Sequence, residues 1–352
     1  MSTIRIAVVG LGMGKLHVAG YLKHPGAEVV AVADLDESRF AAIREMVPGI
    51  RTYVDYREML RVEKPALVSV AVPNSLHEEI SCAALESGAD VLCEKPMSVD
   101  LPSALRMRDK AETTGRKLYI NFSQRFGAFG RTARSLVDAG ELGPIYHAYC
   151  QWTRRDGIPR FGGWFGRKEM SGGGPLIDLG VHRLDFVFWL MGDAKPLTVS
   201  AVTHDRLGTA LGRKHNKPFD VEDLATGLIR TDSGASILFD ISWTGFQVKK
   251  EQQVLRLLGE KGSIEGSPGP HGDYTLYFCH NLAGNAYNST PVDPTPEASS
   301  FETLVDCLLT GDPFPATTED GIRLQAVLDA LYESARVGRE IEVDALQAHA
   351  RG

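Results

Sequence analysis

This sequence of 352 residues lacks long apolar runs. No segment approaches the ~20 consecutive apolar residues that a membrane-spanning helix needs. The opening stretch, MSTIRIAVVG, has neither the basic start nor the apolar middle of a signal peptide. We therefore expect a cytoplasmic protein with no membrane partner.

Cysteine pairs and basic runs are also missing. The five cysteines are scattered, odd in number and never spaced as CxxC, which argues against a disulfide framework and a zinc site. We predict no metal site. The net charge is −7 and no cluster of lysine and arginine appears, so a nucleic-acid partner is not expected either.

The composition that remains is that of an ordinary globular protein, with 43% hydrophobic and 24% charged residues. A single core rarely grows beyond roughly 250–300 residues, so the length predicts two domains.

Short β-branched runs alternate with helical segments over the first third of the chain. The runs are apolar almost throughout, as in a parallel sheet that is covered on both faces. This rhythm predicts a doubly wound α/β domain over residues 1–123. The predicted strands are 4–10, 28–34, 67–73, 89–96 and 117–123, and the predicted helices are 37–46, 75–87 and 100–114.

The pattern changes in residues 124–352, which we predict to form a second domain. Alternating runs between 197 and 280 indicate antiparallel strands joined by hairpins. Residues 266–296 are rich in Gly, Pro, Asn and Ser and predict irregular surface. Helices are predicted at about 128–140, 299–310 and 319–338.

A glycine turn follows the first predicted strand. In VVGLGMGKLH, Gly10, Gly12 and Gly14, with Met13 between them, lie where a helix begins. Glycines let the backbone approach a pyrophosphate, and the helix N-terminus offers free N–H groups. The third glycine comes one residue earlier than GxGxxG requires. Alternatively, the glycines only pack the helix against the strand.

An acid ends the next strand and favours NAD. Asp34 lies 20 residues after Gly14, where a carboxylate accepts a hydrogen bond from a ribose 2′-OH. Leu35 follows it, and a leucine does not bind a 2′-phosphate. We therefore predict NAD rather than NADP, although Arg39 is close enough in sequence to reach a phosphate.

Two more polar segments follow buried strands. Glu94, Lys95 and Pro96 end one strand, and a lysine there can stabilise a developing alkoxide. The preceding strand is followed by VPNSLH, which brings its own polar residues to the same edge, where ligands of open α/β sheets bind. Those residues are Pro73, Asn74 and His77. Solvation of Lys95, capping by Asn74 and local packing of His77 are alternative explanations.

The segment SGGGPLIDLGVHRLDF, residues 171–186, carries three polar residues on an apolar background. A helix with Pro175 in its first turn and Gly192 just past its end would place Asp178, His182 and Asp185 on one stripe. Such a stripe is costly unless it is paired or faces a cavity. An Asp–His pair in the core is one explanation. The alternative that we favour is a cleft below the nicotinamide, in which an aspartate orients a histidine that acts as general base.

Together these motifs resemble the Gfo/Idh/MocA oxidoreductase family, named for glucose–fructose oxidoreductase and inositol dehydrogenase. The resemblance covers essentially the whole chain. It rests on VPNSLHEEI, GADVLCEKPMS, NFSQRF, SGGGPLIDLGVHRLD and EDGIRLQAVLDALYESARVGREI, together with the glycine turn and His17.

The resemblance implies an N-terminal Rossmann domain, a doubly wound parallel sheet, followed by a C-terminal α/β domain with a large open, mostly antiparallel sheet. Family members commonly associate through that sheet, which implies a homodimer or homotetramer. Further roles implied by the match are a lysine contacting cofactor and substrate (Lys95), a catalytic histidine (His182), the acid one turn before it (Asp178), an arginine near both ligands (Arg125) and a tryptophan bordering the cofactor (Trp164). Phe165 stands where many members have an arginine that contacts a phosphate of the cofactor.

These features predict an NAD-dependent dehydrogenase that oxidises a secondary hydroxyl of a sugar, cyclitol or sugar derivative. Lys95, Asp178 and His182 are the expected catalytic residues, and we expect the first and the last to converge on one alcohol. Trp152 and Arg154 would complete a pocket for a polyhydroxylated substrate. A non-catalytic NAD-binding regulator, and an oxidoreductase whose tightly held NADP shuttles between two sugars, remain as alternatives.

Overall fold

The computed structural model describes residues 3–192, 194–268, 274–282 and 285–345. Its strands are β1 Ile4–Val9, β2 Ala27–Ala33, β3 Arg51–Tyr53, β4 Leu67–Val70, β5 Asp90–Glu94, β6 Leu118–Asn121, β7 Ile145–Arg154, β8 Pro196–His204, β9 Leu224–Thr231, β10 Ser236–Ser242, β11 Glu251–Gly259, β12 Gly262–Pro268, β13 Tyr274–Leu282, β14 Asn285–Pro291 and β15 Ile341–Glu342. Its α-helices are α1 Gly14–Tyr21, α2 Phe40–Met46, α3 Tyr56–Glu63, α4 His77–Glu86, α5 Leu101–Thr114, α6 Ala128–Asp138, α7 Lys168–Ser171, α8 Val181–Leu190, α9 Arg206–His215, α10 Ser300–Thr310 and α11 Thr318–Val337. A π-helix, Leu176–Gly180, directly precedes α8.

The chain forms two compact units. The first comprises Met1–Ser123 and Ala298–Gln325, and the second comprises Gln124–Glu297 and Ala326–Gly352. Residues 298–325, which the sequence prediction placed in the second domain, therefore group with the first unit.

The first unit is built on a six-stranded parallel sheet in the order β3-β2-β1-β4-β5-β6. Its central strands are apolar because both faces are covered; Ile6, Ala7 and Val8 of β1 are fully buried. Some of its helices begin at a side-chain cap. In α5, for example, Asp100 accepts a hydrogen bond from the Ser103 amide at 2.8 Å. The predicted doubly wound fold is confirmed.

The second unit is built on a nine-stranded sheet in the order β14-β13-β12-β11-β7-β10-β9-β8-β15. Only β7 and β10 pair in parallel, and every other pairing is antiparallel. This is the predicted mostly antiparallel sheet. Its buried face is formed by alternate apolar residues such as Ile237, Phe239 and Ile241 of β10.

Several loops gather at one end of this sheet, which we call the carboxyl edge of β7. Thr153 near the end of β7 pairs with Ser242 at the end of β10. Ser242 also pairs with Leu224, the first residue of β9, which in turn pairs with His204, the last residue of β8. The loops that leave or enter these strands are therefore neighbours at this edge.

Two local predictions in this unit were wrong. Arg206–His215 forms α9, although the segment was predicted to lie among strands. The stretch 266–296, predicted to be irregular, contains β13 and β14. Within the described part of the chain, no helix has both the length and the hydropathy required to cross a membrane.

Candidate active site

The predicted site residues fall into two groups, one in each unit. In the first unit they surround the carboxyl ends of the parallel strands. Gly10 has φ +84° and a Cβ there would lie 2.5 Å from the Ala71 carbonyl oxygen, so this position requires glycine. Gly14 packs helix against strand, since its Cβ would lie 2.8 Å from Cγ1 of Val8. The packing alternative therefore applies to part of the motif.

The same turn also presents unused donors. Among the described residues, the backbone amides of Gly12, Met13 and Gly14 donate to no protein acceptor. They precede or begin α1, where the helix dipole favours an anion. Three consecutive amides at this position fit the pyrophosphate of a dinucleotide.

Asp34 connects the glycine turn to the end of β2. Its carboxylate accepts hydrogen bonds from the amides of Leu11 at 2.6 Å and Asp36 at 2.8 Å. Arg39 Nη1 lies 3.0 Å from the same carboxylate. Leu35 is 82% exposed, and its side chain offers no donor. The carboxylate is thus fixed at the position where a ribose hydroxyl would be recognised, with a cation beside it.

Glu94 lies at the end of β5, next to Lys95. Its Oε1 accepts a hydrogen bond from Asn121 Nδ2 at 2.6 Å and lies 2.8 Å from His17 Nε2. Burial favours a higher pKa for Glu94, but the hydrogen bonds from His17 and Asn121 and the charge of Lys95 hold that pKa below its usual value. Glu94 is therefore an ionised anchor inside the first unit.

His77 joins the ends of two strands. Its ring is fully buried, with Nδ1 2.9 Å from the Pro96 carbonyl and Nε2 3.0 Å from the Val72 carbonyl. Burial lowers its pKa. The ring thus ties the segment that carries Pro73 and Asn74 to the segment that follows Lys95. These contacts account for the burial of His77, whose assignment to cofactor binding stays a prediction.

The second group lies in the second unit, where two tryptophans contact the predicted catalytic residues Asp178 and His182. Asp178 lies in the π-helix, and its Oδ2 accepts a hydrogen bond from Trp243 Nε1 at 3.0 Å. His182 lies in the first turn of α8, and its ring centroid is 5.9 Å from that of Trp152. The two tryptophans lie at the carboxyl edge of β7, since Trp152 pairs with Ile241 near the end of β10. Both side chains therefore reach the same edge of the sheet.

The predicted single helix is in fact two segments. A π-helix inserts an extra residue into the turn, and such turns are frequent at functional sites. Each of the three polar side chains predicted on one stripe has a contact outside this segment. Asp178 binds Trp243, His182 contacts Trp152, and Asp185 pairs with Arg125.

A distant carboxylate holds the glycine-rich lead-in. Glu222 accepts hydrogen bonds from the amides of Gly174 at 2.9 Å and Leu176 at 3.0 Å, and from the Tyr332 hydroxyl at 2.9 Å. Burial raises the pKa of Glu222, although the two amides oppose this. A Cβ on Gly174 would lie 2.0 Å from the Glu222 carbonyl oxygen. The glycines are thus required for close packing at the start of the π-helix.

Arg125 has a structural partner in its own unit. Its Nε donates to Asp185 Oδ2 at 3.0 Å, and its Nη2 donates to Oδ1. Both side chains are almost fully buried. The guanidinium also lies 5.7 Å from the Trp189 ring centroid. This pair accounts for the burial of Arg125, whose predicted cofactor contact remains a prediction.

Trp152 and Arg154, the predicted substrate residues, share one acid. Trp152 Nε1 donates to Glu251 Oε1, and Arg154 Nε donates to the same atom at 3.3 Å. Arg183, fully buried, lies 4.5 Å from the Trp152 ring centroid. Its burial lowers the pKa of Arg183 to about 10. Trp152 is therefore fixed beside His182 by charged neighbours.

Trp164, predicted to border the cofactor, stacks on Phe165 with ring centroids 3.9 Å apart. Phe165 in turn meets Trp243 edge-on at 6.3 Å. Phe165, which replaces the expected arginine, thus lies between Trp164 and Trp243, the hydrogen-bond partner of Asp178.

Sequence reasoning missed Trp243, Glu222 and Arg183. Trp243 and Glu222 come from segments remote in sequence and contact Asp178 and the glycine-rich turn before it. Arg183 neighbours His182 in sequence and contacts Trp152. Arg183 is buried in α8, where the hydrophobic pattern predicts an apolar residue, so the pattern gave no reason to single it out. Trp243 and Glu222 could have been suspected only from their position at the ends of alternating strands.

Two family models match the chain. One, described as an oxidoreductase family with an NAD-binding Rossmann fold, matches residues 4–122. The other, the GFO/IDH/MocA C-terminal domain, matches residues 131–265.

Several known proteins are similar over nearly the full length. D-glucoside 3-dehydrogenase of Escherichia coli (strain K12) is 30% identical and covers 97% of this chain and 98% of its own. Inositol 2-dehydrogenase of Arthrobacter sp. (strain FB24) is 29% identical, covering 97% and 96%. The crystal structure of GenD2 from gentamicin A biosynthesis, in complex with NAD, is 26% identical with a TM-score of 0.80 and covers 97% of each chain.

Proposed function

The chain belongs to the GFO/IDH/MocA family of oxidoreductases, and from that premise we propose that it is an NAD-dependent dehydrogenase oxidising a secondary hydroxyl of a sugar, cyclitol or sugar derivative. The predicted family and enzyme class are confirmed. The names of the relatives, which include a glucoside and an inositol dehydrogenase, support a polyhydroxylated substrate.

One observation carries the proposed chemistry. Asp178 and His182 are held by Trp243 and Trp152 at the same edge of the second sheet. A carboxylate and an imidazole at one edge can orient a hydroxyl and accept its proton.

Each residue has a distinct role in this proposal. NAD, when bound, supplies the acceptor for the hydride that leaves the carbon. His182 takes the hydroxyl proton. Asp178, oriented by Trp243, aligns the hydroxyl, and Lys95 donates a hydrogen bond to the same oxygen and stabilises its developing negative charge.

The preference for NAD rests on Asp34. Its carboxylate is fixed by the Leu11 and Asp36 amides, so a 2′-phosphate would meet a negative charge, whereas a ribose hydroxyl would meet an acceptor. Arg39 is engaged by that carboxylate.

The test is formation of reduced nicotinamide across inositols, aldoses, uronates and amino sugars, with NAD and with NADP. Lys95→Ala and His182→Ala should lower kcat by about 10²–10⁴-fold, with the Kd for NAD nearly unchanged. Lys117→Ala and His147→Ala are controls, since they lie on a surface of the first unit and at the far end of β7. Near-normal turnover in both site variants would contradict the mechanism, and NAD binding with no turnover on any substrate would favour a regulator.

Self-association through the second sheet belongs to this proposal. Leu238 of β10 and Val202 of β8 are 41% and 52% exposed on the face opposite the buried one. Leu238→Arg should lower the molar mass measured by light scattering, and an unchanged mass would exclude this face.

A further inference from the structure

Positive charge is concentrated at the carboxyl edge of β7. The segments at this edge are 154–171, 205–223 and 243–251, and they contain eleven lysines and arginines against seven acids. Their net charge is therefore +4, in a chain whose net charge is −7. We call these cations the basic edge: Arg154, Arg155, Arg160, Arg167, Lys168, Arg206, Arg213, Lys214, Lys217, Lys249 and Lys250.

The acids of these segments leave most cations of the basic edge without an ion pair in the described part of the chain. Arg154 pairs with Glu251. The other ten cations are exposed, and within the described ranges none forms an ion pair with a carboxylate. At the opposite end of the sheet, by contrast, Lys195 and Arg230 are each paired with an acid.

The segments of the basic edge contact one another. Lys217 packs over Gly162, where a Cβ would lie 2.8 Å from its Cδ. The Lys168 amide donates to Asp220 at 2.6 Å. On the other side, the Arg155 amide donates to the Lys250 carbonyl at 2.8 Å. These contacts hold segments of like charge side by side, at an electrostatic cost that a bound anion would offset.

The basic edge also adjoins the candidate catalytic pair. Arg154 lies 5.1 Å from the Trp152 ring, which contacts His182. Segment 154–171 then runs to Phe165, which meets Trp243, the partner of Asp178. A substrate whose hydroxyl reaches Asp178 and His182 would carry its remaining substituents toward these cations.

We propose that the basic edge binds a phosphate group carried by the substrate, so that the sugar or cyclitol oxidised here is a phosphorylated one, either a sugar phosphate or a nucleoside diphosphate sugar. This inference rests on the proposed function and specifies its substrate class. Arginine and lysine are the side chains that bind phosphate most strongly, and a cleft lined by one sign of charge accelerates association of an oppositely charged ligand by about 10–10³-fold.

The first experiment compares substrates that differ only in charge. Initial rates of NAD reduction are measured with glucose, glucose 1-phosphate, UDP-glucose and glucuronate, and with myo-inositol and its 1-phosphate. We expect kcat/KM to be at least about tenfold higher for a phosphorylated compound than for its neutral partner, with the preference weakening as salt screens the charges. A higher value for UDP-glucose than for the monophosphates would identify a diphosphate as the ligand. Equal values for neutral and phosphorylated compounds, or for glucuronate and the phosphates, would overturn the proposal.

The second experiment removes two cations from the basic edge. The double variant is Arg160→Asn with Lys217→Gln; asparagine suits the φ of +42° at Arg160. The preference for the phosphorylated substrate should fall about tenfold. Lys261→Gln, an exposed lysine in the turn between β11 and β12 at the opposite end of the sheet, should leave that preference within twofold. An equal loss in both variants, or no loss in the double variant, would contradict the proposal.

A binding measurement separates this inference from the proposed function. Calorimetry with UDP-glucose at saturating NAD reports ligand binding even without turnover. Weaker binding to the double variant than to Lys261→Gln supports the basic edge whether or not reduced nicotinamide forms. If the double variant instead loses affinity for NAD by the same factor, the cations serve the cofactor and the proposal fails.

Discussion

At the scale of single residues, Asp34 has two tasks that a substitution can separate. Its carboxylate holds the Leu11 amide and also faces Arg39. Asparagine would keep an acceptor for the amide but remove the negative charge. The turn should therefore keep its shape while the discrimination between the two nicotinamide cofactors changes.

We predict that Asp34→Asn raises the ratio of kcat/KM for NADP to that for NAD by about tenfold, equivalent to roughly 1.4 kcal/mol. The physical reasons are the lost repulsion of a 2′-phosphate and the release of Arg39 to bind it. Steady-state kinetics with both cofactors measure the ratio. Asp36→Asn is the matched control, because Asp36 also contacts Arg39 at 3.1 Å but does not bind the glycine turn. A ratio that moves equally in both variants would contradict this role for Asp34.

Glu94 predicts a pH dependence of stability. The pKa of this acid is lower in the folded protein than its usual value, so the carboxylate stabilises the fold above its unfolded-state pKa of about 4.3 and that contribution disappears as the pH falls through the folded-state pKa. Glu94→Gln keeps the acceptor atom but lacks the charge. The free energy of unfolding should therefore differ most between wild type and variant at neutral pH and converge below about pH 4.

Urea titrations at a series of pH values measure this convergence. Glu45→Gln, which removes an exposed acid, should give a small difference that does not vary with pH. A Glu94→Gln difference that is constant from neutral to acidic pH would show that the charge of Glu94 contributes nothing.

The sequence could nominate candidate residues that carry a local signal, but it could not indicate the remote residues that contact them. Gly10, Asp34, Lys95, Asp178 and His182 each occur at a strand end or a glycine-rich turn, where sequence alone indicates chemistry. The partners that hold them are remote. Asp178 depends on a tryptophan 65 residues away, and no periodicity links two such positions.

At the scale of elements, too, the sequence indicated what depends on local pattern and missed what depends on tertiary contacts. The parallel strands were predicted because both of their faces are buried and the apolar run is continuous. Helix α9 was missed because its glycines at 208 and 212 and its polar residues weaken the helical pattern. Its position is set by tertiary contacts: Gly208 packs on Phe219, and its amide binds Asp223 at 2.7 Å.

The π-helix provides the prediction at this scale. A methyl group at Gly174 would meet the Glu222 backbone, which cannot move freely. We predict that Gly174→Ala destabilises the fold by about 1–3 kcal/mol and lowers kcat/KM at least about tenfold, since the displaced turn carries Asp178.

Thermal unfolding and kinetics test this effect together. The matched control is Gly127→Ala, where the nearest atom to an added Cβ is 3.7 Å away, so both measurements should stay near the wild-type values. Full activity in Gly174→Ala would show that the turn adapts and that its packing does not position Asp178.

At the scale of the whole molecule, the chain returns to its first unit near its end. Phe301 of α10 packs against α1, with its ring 4.7 Å from that of His17 and 5.1 Å from that of Tyr21. Further along, Thr317 bridges to Tyr119 of β6, and the Thr318 hydroxyl donates to the Leu118 carbonyl at 2.5 Å. The first unit is thus completed by residues that come after the second sheet in sequence.

This return could not be predicted from periodicity, because the helices of the last third have the same amphipathic pattern whichever sheet they cover. It has a direct consequence for fragments of the protein. Residues 1–123 contain all six parallel strands but leave the surface under Phe301 and the edge at β6 exposed. Exposed apolar surface of this kind lowers the stability of an isolated domain.

We therefore predict that a fragment of residues 1–123 does not unfold cooperatively and binds NAD poorly. The same fragment joined by a flexible linker to residues 298–325 should unfold cooperatively and bind NAD well. Circular dichroism during heating measures cooperativity, and fluorescence titration measures NAD binding. A joined fragment with Phe301→Ala serves as control, since it retains the length but loses the ring that packs on α1, and its unfolding temperature should fall. If residues 1–123 alone match the joined fragment in both measurements, the returning segment only covers a unit that is already stable. If they do not, the cofactor-binding unit forms only after nearly the whole chain has been synthesised.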